Sequence, residues 1–369
     1  MLSRERLQNT FLEMIQIYSP SKGEKEMADW LENWLKERNI SYQSDNAGAG
    51  YGGNGRNIVA YIPGDKTKMA LGFGAHMDQI EPCKDVKAVI DGSIIRTDGT
   101  TTLGGDDKAG IAAILEAVED ILETGETHRD IYLVFTVSEE ISMLGTKYMD
   151  LDMLPCKDLV LADATGDTGV IAYKAPAMEA ISITFHGKKA HAGIEPEKGI
   201  NAIVAASKAI ANMHIGRIDK ETTSNIGHIE GGTATNIVTD AVTFTAEIRS
   251  HSMEKLAAEV QHMEQCCQKA AEEMGANYTF SHELAYPTLS LDLDCALVQE
   301  TKKAMEAQGI TPDLMVIGGG SDANVLAGHG YRSVILGLGM RDVHTVNESL
   351  DMDEVYKATK VIRHMMSVE

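Results

Sequence analysis

The sequence predicts an α/β protein with a mostly parallel sheet, interrupted by an inserted α+β domain. Three observations carry this reading. Apolar runs alternate with helical stretches, in strand, helix, strand rhythm, as far as position 177 and again from 285. Between them, over 178–284, strands with alternating apolar and polar residues follow the order β-α-β-β-α-β of a ferredoxin-like sandwich. Finally, four short apolar runs, FGAHMD, LGGDDKAG, VFTVSEE and LVLADA, each lead into a His or a carboxylate. Buried parallel strands look like this, and in open α/β sheets the ligand lies beyond their carboxyl ends.

Taken in order, Leu2 to Tyr18 has helical spacing, with Leu7, Phe11, Met14, Ile15 and Tyr18 on one face and Ser19-Pro20 as the stop. Ser21 precedes Glu24 by three residues, the spacing of a capping box, before a second amphipathic helix to about Arg38. Asn46 to Arg56, rich in Gly and Asn, reads as a loop. Strands are expected over 57–62 and 69–75, and a hairpin around Gly92-Ser93. Asp107 to Leu122 is a strong helix with Ile111, Ile114, Leu115, Val118 and Ile121 or Leu122 inward. Strands follow at 131–137 and 159–162. The insertion contributes strands at 179–186, 224–230, 241–249 and 277–283, with helices at 197–213 and 253–274. The α/β rhythm closes with helices at 295–308 and 352–366 around strands at 314–317 and 334–338.

A chain of 369 residues, 43% hydrophobic and 24% charged, suits two domains with ordinary cores. Its formal net charge of -22 argues against nucleic acid and anionic membrane as partners, since both select basic patches. The five cysteines, Cys83, Cys156, Cys266, Cys267 and Cys295, are odd in number and form no CxxC pair, which suits a reducing compartment. The N-terminus has no long apolar core and no cleavage signal, and no run is long enough to span a membrane. A cytoplasmic protein is expected.

The chemistry rests on residues at the ends of the apolar runs. His76 and Asp78 lie two apart, so on a strand end they point the same way, and a carboxylate can fix the tautomer of a ligating His. Asp106, at a loop-to-helix junction, can bridge two cations; Asp106-Asp107 is equally an ordinary acid-decorated helix start. In the Glu139-Glu140 pair one carboxylate can bind metal while its neighbour takes a proton from water, or both can be a solvated strand end. Asp163 and the distant His344 are open to the same choice. Jointly these residues place so much acid on one rim that a multivalent cation is needed to hold it together. The expectation is a metal centre of two ions.

GAHMDQIEP, IIRTDGTTTLGGDDKAGIAAILEA, VFTVSEEISMLGTKYMD, KKAHAGIEPEKGINA, ATNIVTD, GGGSDANVL and VHTVNESL together resemble, in order and context, the M20 family of metallopeptidases, nearest its tripeptidase T branch. The resemblance implies a zinc-peptidase-like catalytic domain, 1–177 and 285–369, and a lid and dimerisation domain, 178–284. It implies that His76, Asp106 and Asp163 hold one zinc, and Asp106, Glu140 and His344 the other, with cobalt or manganese as substitutes. Asp78 would orient His76, Glu139 would be the general base, and His191 would stabilise the oxyanion. Asn236, Arg249, Ser321 and Asp322 would face the substrate. Gln79 and Gly105 depart from the family's usual residues and put the rim of the substrate pocket in question. The expected activity is hydrolysis of an amide bond near the end of a short peptide by a homodimer. The rivals are an amidohydrolase of N-acyl amino acids or dipeptides on the same scaffold, and a catalytically silent, metal-bound peptide-binding protein.

Overall fold

The computed structural model describes residues 1–367, and among these the chain forms two compact units. The first comprises residues 1–174, 289–317 and 321–367; the second takes in 175–288 with the three glycines 318–320. The second unit is thus slightly wider than the 178–284 span read from the sequence, and it recruits a glycine loop from far downstream.

Among the described residues, nine strands form the sheet of the first unit. Its order is Ser41–Ser44, Ile58–Ile62, Ile131–Thr136, Leu71–His76, Asp158–Ala164, Arg332–Gly337, Val170–Ala175 and Leu289–Ser290, with Asp313–Val316 alongside Val170–Ala175. The centre is parallel: Leu71–His76 runs with Ile131–Thr136 on one side and Asp158–Ala164 on the other, and Arg332–Gly337 continues the same direction. All six residues of Leu71–His76 are buried, as expected for a strand covered on both faces. The helix Gly105–Thr124 packs on this centre, with Ile111, Ile114, Leu115, Val118 and Ile121 buried and Leu122 outside. Gly110 permits its close approach: a Cβ there would lie 2.2 Å from the carbonyl oxygen of Ala162.

A smaller antiparallel sheet of the same unit joins Met340–Arg341, Ser349–Asp351, Ile94–Thr97 and Ala88–Asp91. The last two are the hairpin expected around Gly92. This sheet carries the 342–348 loop, and the Thr97 hydroxyl reaches the Val346 carbonyl at 3.3 Å.

The second unit is an antiparallel sheet, Gly216–Arg217, Thr222–Gly231, Ala241–Ser250, Ala177–His186 and Asn277–Tyr286, with the helices Ala202–Ile210 and Met253–Met274 packed on it. Along Ala177–His186 the side chains of Ile181, Ile183 and Phe185 are buried while Ser182 and Thr184 are only half-buried, the period-two pattern of a one-sided sheet. This is the expected ferredoxin-like arrangement.

Local expectations fail at four places. The first helix is Arg4–Met14, capped by Ser3, and Tyr18 lies beyond it, 38% exposed. The capping box at Ser21 does not form. The helix there starts at Lys25, and the Ser21 hydroxyl instead donates to Asp78 at 2.7 Å. Within the expected loop 46–56, Ala47–Tyr51 is helical. The run before Asp106 is no strand but a loop, closed by Gly104 at φ +81°, where a Cβ would meet the Gln79 side chain at 2.6 Å. The strands Ser41–Ser44 and Val170–Ala175 were not expected from the sequence, because neither shows a clear period of its own.

Gly110→Ala should destabilise the protein by about 1–3 kcal/mol through overpacking. A lower denaturant midpoint with an unchanged slope is the expected outcome in a urea titration.

Candidate metal centre

Three neighbouring parallel strands end beside one another and deliver His76, the Glu139-Glu140 pair and Asp163 to one place. Asp106 arrives by another route, from the start of the helix Gly105–Thr124. There φ -85° and ψ 103° turn it out of the helical path, and its peptide bond to Asp107 is cis. His344 comes from the 342–348 loop in a left-handed conformation, φ 64°.

The structure brings these residues together. His76 Nε2 is 3.1 Å from Asp106 Oδ1 and 3.7 Å from Asp163 Oδ1. His344 Nε2 is 3.2 Å from Asp106 Oδ2 and 2.9 Å from Glu140 Oε2. The two oxygens of Asp106 therefore face two different histidines. Ligand atoms of His76, Asp106 and Glu140 all fall within 4.8 Å of one another, as do those of His76, Asp107 and Asp163. Asp107 is an addition that the sequence reading did not assign. Its carboxylate accepts from the backbone N–H of His76 and of Gly110, each at 3.2 Å, so it ties helix to strand beneath the cluster.

Asp78 lies under His76, its Oδ1 3.3 Å from Nδ1, and that ring nitrogen is also 3.1 Å from the Asp78 carbonyl. The same carboxylate accepts from the backbone N–H groups of Glu139 at 3.0 Å and Glu140 at 3.2 Å. One buried acid thus orients the histidine and holds the turn that carries both glutamates.

Glu348, missed in the sequence, does the corresponding work for Asp106. It is buried, and it accepts from the N–H groups of Leu103 at 2.7 Å, Gly104 at 3.0 Å and Asp106 at 3.1 Å. Gln79 proves to be internal, not a rim residue. Its amide donates to Thr102 Oγ1 at 3.0 Å, and its carbonyl accepts at 2.9 Å from Lys108, which burial lowers to about 8. Cys83 is buried as well, its thiol pushed up to about 12 chiefly by that burial.

The electrostatics follow from packing acids out of water. Burial, reinforced by neighbouring carboxylates, pushes Asp163 and Glu139 well above the usual carboxyl range. Burial also raises Glu140, against the pull of His344. Burial alone would raise Asp106 too, but His344 and His76 hold it well below that range. Asp106 and Glu140 in turn push His344 up to about 10. The cluster draws positive charge, and a divalent cation competes for the same place. Glu140 Oε1 supports that fit directly: it is buried and has no hydrogen-bond partner, an acceptor that calls for a ligand. Imidazole and carboxylate donors together suit zinc, manganese or cobalt.

Ser321 and Asp322 stand at the start of the helix Asp322–Gly328, and Asp322 is near enough to Glu139 and Asp163 for its charge to raise both. Ser321 caps the helix Asp322–Gly328, its hydroxyl accepting from Ala323 N at 3.2 Å. Asp322 is buried and accepts from the hydroxyls of Thr136 and Thr146. It braces the strand that leads to Glu139. In the second unit, Arg249 pairs through two nitrogens with Glu247, at 2.9 and 3.1 Å, and its Nη1 reaches the Gly318 carbonyl at 3.4 Å. Its guanidinium is therefore already engaged. His191 and Asn236 lie on adjoining exposed loops that are stitched by backbone, Ala192 N donating to Asn236 O at 2.9 Å. His191 Nδ1 accepts from Gly193 N at 3.2 Å, which in the neutral ring leaves the proton on Nε2 as an outward donor.

Comparison with known proteins fits this geometry. The sequence model described as Peptidase family M20/M25/M40 matches residues 72–367. Over 362 residues the chain is 40% identical to the Bacillus subtilis protein YqjE, covering 98% of each chain. Among solved structures it is similar to the aminopeptidase PepT of Bacillus cereus ATCC 10987, at 38% identity and a TM-score of 0.92, covering 99% of this chain and 98% of that one. It is likewise similar to a tripeptidase of Staphylococcus aureus subsp. aureus mu50, at 34% identity and a TM-score of 0.96, again covering 99% and 98%. Among the described residues, no helix is long and apolar enough to cross a membrane.

Glu348→Ala should free the 103–106 loop and weaken metal binding roughly 10–100-fold, the usual effect of losing a group that positions a ligand. Competition with a fluorescent zinc chelator measures this. An unchanged affinity means that the loop is held without Glu348.

Proposed function

The chain belongs to peptidase family M20/M25/M40 and is a metallopeptidase, and from that premise we propose that it removes a terminal residue from short peptides at a centre of two zinc ions. The observation that carries the two-ion reading is Asp106, whose oxygens are directed at separate histidines, His76 and His344. On this reading His76, Asp106 and Asp163 hold one ion, and Asp106, Glu140 and His344 the other. Cobalt or manganese can replace zinc at such donors.

Divalent cations bound there would polarise the scissile carbonyl and bring the acidity of water into the neutral range. The rest is the work of side chains. Asp78 keeps His76 in the tautomer that turns Nε2 toward Asp106 and Asp163. Glu139 is buried beside them, and Asp78 holds its backbone. It takes a proton from the attacking water and returns it to the leaving amine. His191 donates Nε2–H to the oxyanion; what supports this is its tautomer. Asn236, on the adjoining loop, is a contact for the peptide.

The substrate class follows the two similar solved proteins, an aminopeptidase and a tripeptidase. We further assign the second unit a role in pairing two copies of the chain. All five cysteines are unpaired, which agrees with life in the cytoplasm.

Glu139→Ala should retain metal yet lower kcat by about 100- to 10,000-fold, the range for removing a general base. Metal content by mass spectrometry and single-turnover hydrolysis of a tripeptide give the two readouts, and normal turnover in that variant overturns the assignment. A panel of metal-loaded assays should show tripeptides cleaved well ahead of N-acyl amino acids. The reverse order favours an amidohydrolase, and no hydrolysis at all favours a peptide-binding protein.

A further inference from the structure

The second unit holds another convergence of ligating side chains. Glu259 and His262 stand three residues apart on the helix Met253–Met274 and so share a face. His214, on the segment after the helix Ala202–Ile210, lies against them. One ligand atom from each of the three falls within 4.8 Å of the others. His214 Nδ1 is 3.1 Å from Glu259 Oε2, and the two imidazole rings stack with centroids 4.0 Å apart and 13° between their planes. One helical turn on, Cys266 brings Sγ to 3.7 Å from His262 Nε2 while also donating to the Asn212 carbonyl.

An ion pair between His214 and Glu259 does not account for this cluster. Glu259 is only 7% exposed, and its Oε1 is buried with no hydrogen-bond partner. A buried carboxylate oxygen left bare is costly, and native structures seldom tolerate one. The neighbours that could complete it are two imidazoles, each with a ring nitrogen within 4.8 Å of the other ligand atoms.

We propose that the second unit binds one divalent transition-metal ion of the zinc class through His214, Glu259 and His262, independently of the Asp106 cluster. Two imidazole nitrogens of borderline softness beside a single hard carboxylate oxygen favour zinc, nickel or copper over calcium and magnesium. The His214 side chain is 56% exposed, so water completes the coordination from outside. The ion would fasten the segment after Ala202–Ile210 to the long helix, and its binding energy becomes stability of that unit. Its role is structural, and peptide hydrolysis does not depend on it.

The test uses the full-length protein equilibrated with buffered zinc, with bound metal counted per chain by mass spectrometry. His214→Ala removes an exposed side chain, and Glu259→Gln keeps the buried shape, so both variants should fold. Each should bind one zinc fewer per chain than the parent, with tripeptide turnover unchanged. In a His76→Ala, Asp106→Asn, His344→Ala background, one zinc per chain should remain and be lost on adding His214→Ala. Equal zinc in the parent and in both single variants overturns the proposal, as does a background that binds no zinc. Because this background lacks the Asp106 cluster, the two metal readings fail separately.

Discussion

The buried carboxylate of Asp106, shared between His76 and His344, is the contact on which the first unit's chemistry depends. Around it Asp163, Glu139 and Glu140 are packed out of water, where like charges repel and each anion loses its hydration. Such a cluster stays ionised only where positive charge is supplied at its centre. The two histidines supply part of it, and Glu140 Oε1, buried without a partner, marks where more is wanted. The fold therefore carries a local instability, and a cation converts it into binding.

Holding that cluster in shape falls to a second layer of acids that bind backbone. Asp78 accepts from the N–H groups of Glu139 and Glu140, Glu348 from those of Leu103, Gly104 and Asp106, and Asp107 from those of His76 and Gly110. Backbone N–H donors offset part of the cost of burying these charges: against burial, His76 keeps Asp78 below the usual carboxyl range, whereas burial still raises Asp107 and Glu348. The division of labour is clear by geometry. Acids with backbone donors set positions, whereas Glu139, Glu140 and Asp163 present their charge to the centre.

The second unit rests on different physics. Its sheet is one-sided, and its core is the apolar stripe of Met253–Met274 against Ile181, Ile183, Phe185 and Phe244. Its polar residues are free to specialise at the surface. His191 is given a defined tautomer by a turn only two residues long, and His214, Glu259 and His262 converge between helix and loop. Arg249 shows the opposite outcome: a residue suited to a peptide carboxylate is held by Glu247 two positions before it, on the same face of the same strand.

Whatever is written in local periodicity could be read from the chain alone. The buried strand before His76, the helix after Asp106, the alternation of 177–186 and the helices Met253–Met274 and Met352–Met366 all announce themselves by spacing, because burial selects apolar residues at a fixed repeat. Which acids the ends of those elements carry was equally legible. Tertiary structure alone decided the duties that depend on partners distant in sequence. Ser21 looked like a helix cap and serves Asp78, Asp322 looked like a substrate contact and braces two threonines, and Glu348 gave no signal although it clamps a loop some 240 positions earlier. A hydrogen bond to a remote backbone amide leaves no period in the sequence, since any acid can make it once the fold has brought the amide within reach.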